Sequence, residues 1–226
     1  MILGSRWIAW AIVGLVACGR EPVRSQADPP PTPAGGGRGR VVFLGTSLTA
    51  GLGLDPAQAY PALLQRSIDS AGLPFETVNA GVSGETSAGA LRRIDWLLRE
   101  PAAVLVIETG ANDGLRGLDP DSLAANIQAI IDRARRQEPA PRVVLVGMEA
   151  PPNYGFGYVR RFRAVYPSLA KRNDLPLVPF LLEGVAGVDS LNQSDMIHPT
   201  AAGQRLIARS MWKVLEPVLR GGTASR

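Results

Sequence analysis

The sequence predicts a single α/β domain built in three layers, helix on sheet on helix, around a five-stranded parallel sheet. Three observations lead there. Short runs rich in β-branched and apolar residues alternate with amphipathic stretches from Arg40 onward. Two of those runs are nearly continuous in apolar residues, as strands buried on both faces are. The chain's 226 residues, 46% of them hydrophobic, suffice for one sizeable core and are too few for two.

In chain order, the first segment lies outside that pattern. Arg6 precedes an apolar run from Trp7 to Ala17, the layout of a secretory signal and too short to span a bilayer. The run ends in Leu15-Val16-Ala17-Cys18, and Cys18 is the chain's single cysteine. This stretch resembles a bacterial lipobox, which implies cleavage before Cys18 and acylation of that residue. An ordinary signal peptide with a chance cysteine is the alternative. A lone thiol in an oxidising compartment has no disulfide partner, which favours lipidation. Residues 1–17 are thus expected to be a signal peptide. Residues 18–39, rich in Pro, Gly and charge without apolar periodicity, read as a disordered tether. The domain is expected over 40–220, with a short disordered tail at 221–226.

Strands are expected at 41–45, 75–79, 103–109, 142–148 and 176–180. Helical faces lie between and after them. Leu91, Ile94, Leu97 and Leu98 share one side of 87–99, and Leu123, Ile127, Ile130, Ile131 and Ala134 one side of 121–137. The last helix carries Ile207, Met211, Val214 and Leu215, and Pro217 is expected to end or bend it. Charge excludes one function class. Four arginines against two acids in residues 1–39 carry half of the net +4, and the rest is scattered without aromatic interleaving. That is no nucleic-acid footprint.

Ligands bind such sheets beyond the carboxyl ends of the strands. After the first strand comes Gly45-Thr46-Ser47-Leu48, which alone is equally good turn and helix-cap chemistry. It is no phosphate loop, since the first lysine is Lys171, and no α/β-hydrolase elbow, since Thr49 stands where glycine is required. After the second strand, Gly81 and Gly84 allow close backbone approach, and Thr86 or Ser87 can cap the next helix. After the third, Asn112 offers two neutral donors. His198 is the only histidine, with Asp195 three residues before it. A serine hydroxyl needs a base to become a nucleophile, and in a Ser–His enzyme that base must be His198. Asp195 is placed to orient the ring; a capping aspartate beside a surface histidine is the alternative.

These segments, with Pro151-Pro152-Asn153-Tyr154-Gly155 and Asp195-Met196-Ile197-His198-Pro199, resemble as a set the SGNH hydrolases, also called GDSL esterases and lipases. The likeness is nearest to the bacterial thioesterase, arylesterase and lysophospholipase group, and it covers about residues 41–217. It implies a flavodoxin-like fold and a serine esterase acting on aryl and acyl esters, lysophospholipids or acyl thioesters through an acyl-enzyme. It implies Ser47 as nucleophile, His198 as base and Asp195 as its orienting partner. Ser47 N–H, Gly84 N–H and the Asn112 amide are implied as the oxyanion hole. Asp113, Gly114, Leu115 and Leu118, with Pro151 and Tyr154, are implied as substrate-binding residues on two loops, the second spanning 149–158. No metal and no cofactor is called for. The expected partners are a small or lipid ester and, through Cys18, a membrane facing the periplasm or cell surface, with the protein a monomer. Two alternatives stand beside this reading: a carbohydrate O-acetylesterase of the same fold, and a non-catalytic tethered lipid- or glycan-binding protein. One position departs from the family pattern: the usual Gly-Asp-Ser-Leu reads Gly45-Thr46-Ser47-Leu48, so Thr46 brings a hydroxyl where a carboxylate is usual.

Overall fold

The computed structural model describes residues 37–221. Strand β1 (Gly39–Gly45) runs into a one-turn helix α1 (Ser47–Ala50), followed by α2 (Tyr60–Ser70), β2 (Phe75–Gly81) and α3 (Ser87–Leu97). Then come β3 (Val104–Glu108), a short α4 (Ala111–Leu115), α5 (Pro120–Arg135) and β4 (Arg142–Val146). The chain ends with α6 (Phe156–Asn173), β5 (Leu177–Val178) and α7 (Ala201–Leu219). The sheet has five parallel strands in the order β2-β1-β3-β4-β5.

That order places the helices. The β1–β2 connection moves one way across the sheet and every later connection moves the other way, so right-handed crossovers put α2 on one face and α3, α5 and α6 on the opposite one. In agreement, α3, α5 and α6 pack side by side, while α7 returns to lie against α2. With both faces covered, the central strands lose alternation: Val41 to Leu44 and Val104 to Ile107 are buried without interruption. The order reverses at β1, so a crevice opens between the carboxyl ends of β1 and β3.

The structure corrects the sequence expectation in several places. The fifth strand is Leu177–Val178 rather than 176–180. Pro176 and Pro179 bracket it, and a proline has no N–H to give a ladder; beside its pairing with β4, Leu145 N–H reaches Pro176 O and Gly147 N–H reaches Val178 O. Pro217 does not end the last helix, which continues to Leu219; it sits in the final turn, where one lost hydrogen bond breaks little. Two of the longer helices, α2 and α6, were not anticipated, nor were the short α1 and α4. The sequence 60–70 has the apolar spacing of α2, with Tyr60, Leu64 and Ile68 buried. Residues 156–158, expected within a loop, open α6 instead. Gly155 at φ 82° turns the chain into that helix.

Candidate active site

The turn after β1 is built by close approach. Thr46 is extended and caps α1, its hydroxyl accepting from Leu48 N–H at 3.4 Å. Helix α1 lasts four residues and closes on Gly51 in the left-handed region. Ser47 is the first residue of that helix, so its N–H has no partner within it. A side chain on Gly45 would meet Thr49 Oγ1 at 2.0 Å, and one on Gly81 would meet Ala50 N at 2.3 Å. Both glycines are there because α1 lies directly on the strand ends.

Asp195 and His198 arrive from the loop before α7. That helix is capped by Thr200, whose hydroxyl accepts from Gly203 N–H, so Asp195 is not its cap. The Asp195 carboxylate instead accepts from the N–H groups of Ile197 and His198, each at 3.0 Å, and lies 2.6 Å from His198 Nδ1. The bond to the His198 ring, then those backbone donors, holds the Asp195 carboxyl well below the usual carboxylate range. It is therefore held in its ionised form. His198 Nε2 is 2.9 Å from Ser47 Oγ. Two residues that sequence reasoning missed fix this distance. Gln204, buried in α7, donates to Leu48 O at 3.2 Å and accepts from Tyr60 N–H at 2.8 Å. Gln193 donates to Leu52 O at 2.7 Å. Both tie the histidine's segment to the serine's.

Gly84, at φ 76°, and Asn112 line the same cavity as Ser47 and His198. One Asn112 amide hydrogen goes to Glu85 O at 3.0 Å, which aims the group and leaves its second hydrogen for the cavity. Arg116 donates to Gly84 O at 3.0 Å. The expectation for Asp113 is corrected. Its carboxylate is buried and turned away from the cavity, accepting from Ser87 N–H at 2.8 Å and Ser87 Oγ at 2.5 Å. The start of α3 is thus capped from across the site; neither Thr86 nor Ser87 caps it with its own side chain. Asp113 binds one donor loop to the other rather than binding substrate. Asp113→Asn would leave an amide N–H₂ facing donors in a buried place, so a loss of about 1–3 kcal/mol is expected. Urea unfolding would measure the stability, and a lowered kcat with little change in KM would accompany it.

The cavity encloses about 550 Å³ and is mainly apolar. Leu48, Met148, Phe180, Met196 and Ile197 form walls together with two of the expected residues, Leu115 and Pro151. Gly114, Leu118 and Tyr154 are outside it. Gly114 is pressed against Phe162 and Ala150, where a Cβ would come within 3.1 Å. Tyr154 donates to Leu115 O and Tyr158 to Leu118 O, both at 2.8 Å, so these tyrosines hold the 115–118 backbone. Alternating apolar residues do not tell which of two neighbouring leucines faces inward, and here only the first does.

Among the described residues, no group of three or more His, Cys, Asp or Glu is placed to hold a metal ion, and no helix is long and apolar enough to cross a membrane. Cys18 and the apolar run before it lie outside the described residues.

The sequence profile of the GDSL-like lipase/acylhydrolase family matches residues 43–206. The chain is 43% identical over 180 residues to esterase TesA of Pseudomonas aeruginosa, covering 79% of this chain and 89% of that protein. It is 39% identical over 181 residues to thioesterase 1/protease 1/lysophospholipase L1 of Escherichia coli, covering 79% of this chain and 84% of that one. Among solved structures, a psychrotrophic esterase EstA from Pseudoalteromonas, inhibited by monoethylphosphonate, superposes with a TM-score of 0.75 at 32% identity, covering 80% of this chain and 98% of that one.

Proposed function

The chain belongs to the GDSL-like lipase/acylhydrolase family and is an ester hydrolase, and we propose that it cleaves aryl and acyl esters, lysophospholipids and acyl thioesters through Ser47, His198 and Asp195. The observation that carries this reading is the unbroken line from Asp195 Oδ2 to His198 Nδ1 at 2.6 Å and from His198 Nε2 to Ser47 Oγ at 2.9 Å, ending at an apolar cavity.

In the first half-reaction, Ser47 Oγ attacks the carbonyl carbon while its proton passes to His198 Nε2. Asp195 keeps the other ring nitrogen protonated and stabilises the imidazolium. The carbonyl oxygen, now an anion, lies among Ser47 N–H, Gly84 N–H and the Asn112 amide. His198 then returns the proton to the departing alkoxide or thiolate, and the acyl group stays on Ser47. In the second half-reaction, water takes the alcohol's place and the same ring removes and returns a proton. The free acid leaves, and every group regains its starting state. A fluorophosphonate probe tests the nucleophile: covalent labelling of Ser47 is expected, and an intact, unlabelled serine at saturating probe would rule out this scheme and favour a non-catalytic binder.

The walls bear on the substrate. Apolar side chains beside the serine suit an acyl chain better than acetylated sugar, which needs polar partners for its hydroxyls. Replacing Leu115 with Ala removes wall, while Leu118→Ala removes a side chain outside it. Longer p-nitrophenyl esters should therefore lose kcat/KM by roughly threefold to tenfold in Leu115→Ala alone, at about 1 kcal/mol per lost methylene-scale contact. Chain-length profiles of the two variants give the comparison, and equal profiles would remove Leu115 from the acyl site.

The protein is further proposed to be exported and held on a membrane by acyl groups on Cys18, acting there as a monomer. The basis is the sequence alone: a signal-like run, a lone cysteine at its end, and a Pro/Gly-rich segment before the domain. Two or more chains give stable anchoring, at about 0.8 kcal/mol per buried CH₂. Radiolabelled palmitate should enter the wild type and not Cys18→Ser; incorporation into both would refute lipidation at that residue.

A further inference from the structure

Glu108 closes β3, and the reaction above does not use it. It is completely buried, the last residue of a strand that is otherwise Val104-Leu105-Val106-Ile107. Its Oε2 accepts from Thr46 N–H at 2.8 Å and from Thr49 Oγ1 at 2.7 Å, and the Thr46 hydroxyl lies 3.1 and 3.0 Å from its two oxygens. Thr49 Oγ1 is itself 2.6 Å from the hydroxyl of Tyr60, another fully buried group. All of these donors are neutral. A carboxyl group without a cationic partner is an expensive thing to bury, and an apolar residue would complete this strand at lower cost. Its partners are specific, for Thr46 and Thr49 bracket Ser47.

We infer that Glu108 is a positioning residue for hydrolysis: its ionised carboxylate grips Thr46 and Thr49, and so fixes the turn that presents Ser47 Oγ to His198 and Ser47 N–H to the cavity. The inference rests on the reading of Ser47 as nucleophile. The hydrogen-bond directions favour the ionised form. With a carboxylate, Tyr60 donates to Thr49, Thr49 donates to Glu108, and both donors of Thr46 end on the same group. A proton on Oε2 reverses the Thr49–Tyr60 pair and leaves the buried phenol hydrogen to find another acceptor. The Thr46 hydroxyl is one of the donors that this carboxylate holds.

Burial pushes the Glu108 carboxyl up to about 7, opposed by the bonds from Thr46 and Thr49. The titratable groups that face it are the phenols of Tyr60 on α2 and Tyr166 on α6, both raised by burial and both neutral donors. Around the turn, Asp113 on α4 is bonded to Ser87, and Arg93 on α3 is paired with Glu85 and reaches Gly45 O. Neither neutralises Glu108. Protonation of Glu108 near neutrality therefore loosens the turn that carries Ser47.

The test compares the full-length wild type with Glu108→Gln. The amide keeps the shape but places a donor against donors. We expect a folded variant by circular dichroism whose kcat on p-nitrophenyl butyrate falls about 10–100-fold with KM within twofold, as for a small misplacement of a reacting group. We also expect the acid limb of log kcat against pH to be steeper in the wild type than in the variant, since the wild type carries one more group, the Glu108 carboxyl, that must lose a proton near neutrality. A kcat within threefold of wild type, or an acid limb of unchanged shape, overturns the inference. Should Glu108→Gln not fold, Thr46→Val removes one donor to the carboxylate while keeping the backbone N–H. Its acid limb should move to higher pH by roughly half a unit to one unit, and an unmoved limb is equally fatal. Fluorophosphonate labelling separates the two levels of argument. A wild type that takes no label sinks the hydrolase reading and this inference with it; equal labelling rates in wild type and variant sink this inference alone.

Discussion

Ser47→Ala and His198→Ala should each lower kcat on p-nitrophenyl esters by about 10⁵–10⁶-fold, and the double variant should be no worse than either single one. The chain has one histidine, and its Nε2 is 2.9 Å from Ser47 Oγ, so no second imidazole can take over the proton. Without the base the hydroxyl keeps its proton and is no nucleophile; without the hydroxyl the base has nothing to deprotonate but water. Because one step needs both, losing the second costs nothing more. The residual rate belongs to the cavity and its amide donors, which neither substitution touches. A binding protein that merely kept the fold would show no such pattern. Singles whose losses multiply in the double variant would mean that the two side chains act independently, and the proton-transfer scheme would fail. Ser47→Ala should unfold at nearly the wild-type temperature, since among the described residues Ser47 Oγ bonds only to His198.

The sequence carried this much because the signals lie at strand ends. A parallel sheet must be buried on both faces, so its strands stand out as apolar runs, and the first residues after β1 and β3 are where a ligand is met. Ser47 and Asn112 are legible on that ground, and the single histidine makes His198 legible by number. What stayed hidden depends on direction rather than position. Asp113 and Leu115 are two residues apart, yet one turns inward to hold Ser87 and the other forms the cavity wall. On a four- or five-residue helix, no periodicity is long enough to decide between them. Helix α6 was hidden by its opening: Pro151-Pro152 and Gly155 announce a turn, and the helix begins immediately after. Gln204 sits among apolar residues on the buried side of α7, where a polar side chain is a signal in retrospect. Glu108 is the clearest missed sign. One acid at the end of four buried aliphatic residues demands donors, and the nearest donors in the fold are those of the turn that carries Ser47.

Asn112→Ala should reduce kcat by about 10²–10³-fold while KM changes little, because the lost bond is made to charge that exists only in the transition state. In the resting site the Asn112 amide is already aimed: one hydrogen is fixed on Glu85 O at 3.0 Å, and the backbone of Gly84 beside it is held through Arg116. Nothing has to reorganise when the carbonyl oxygen becomes an anion, so the cost of its removal is felt almost wholly in the barrier. A loss of this size corresponds to about 2.7–4 kcal/mol. Truncation also forfeits the bond to Glu85 O, worth about 0.5–1.5 kcal/mol of folding stability, so a small fall in unfolding temperature is expected alongside. Arg116→Ala is the control. It removes a support of the same loop from an exposed position without removing a donor to the anion, and it should cost far less than Asn112→Ala. If the two variants lose activity equally, the amide is a brace and not an anion donor. The negative charge would then rest on the N–H groups of Ser47 and Gly84 alone, and the turn held by Glu108 would carry a larger part of the catalysis than the three-donor scheme assigns it.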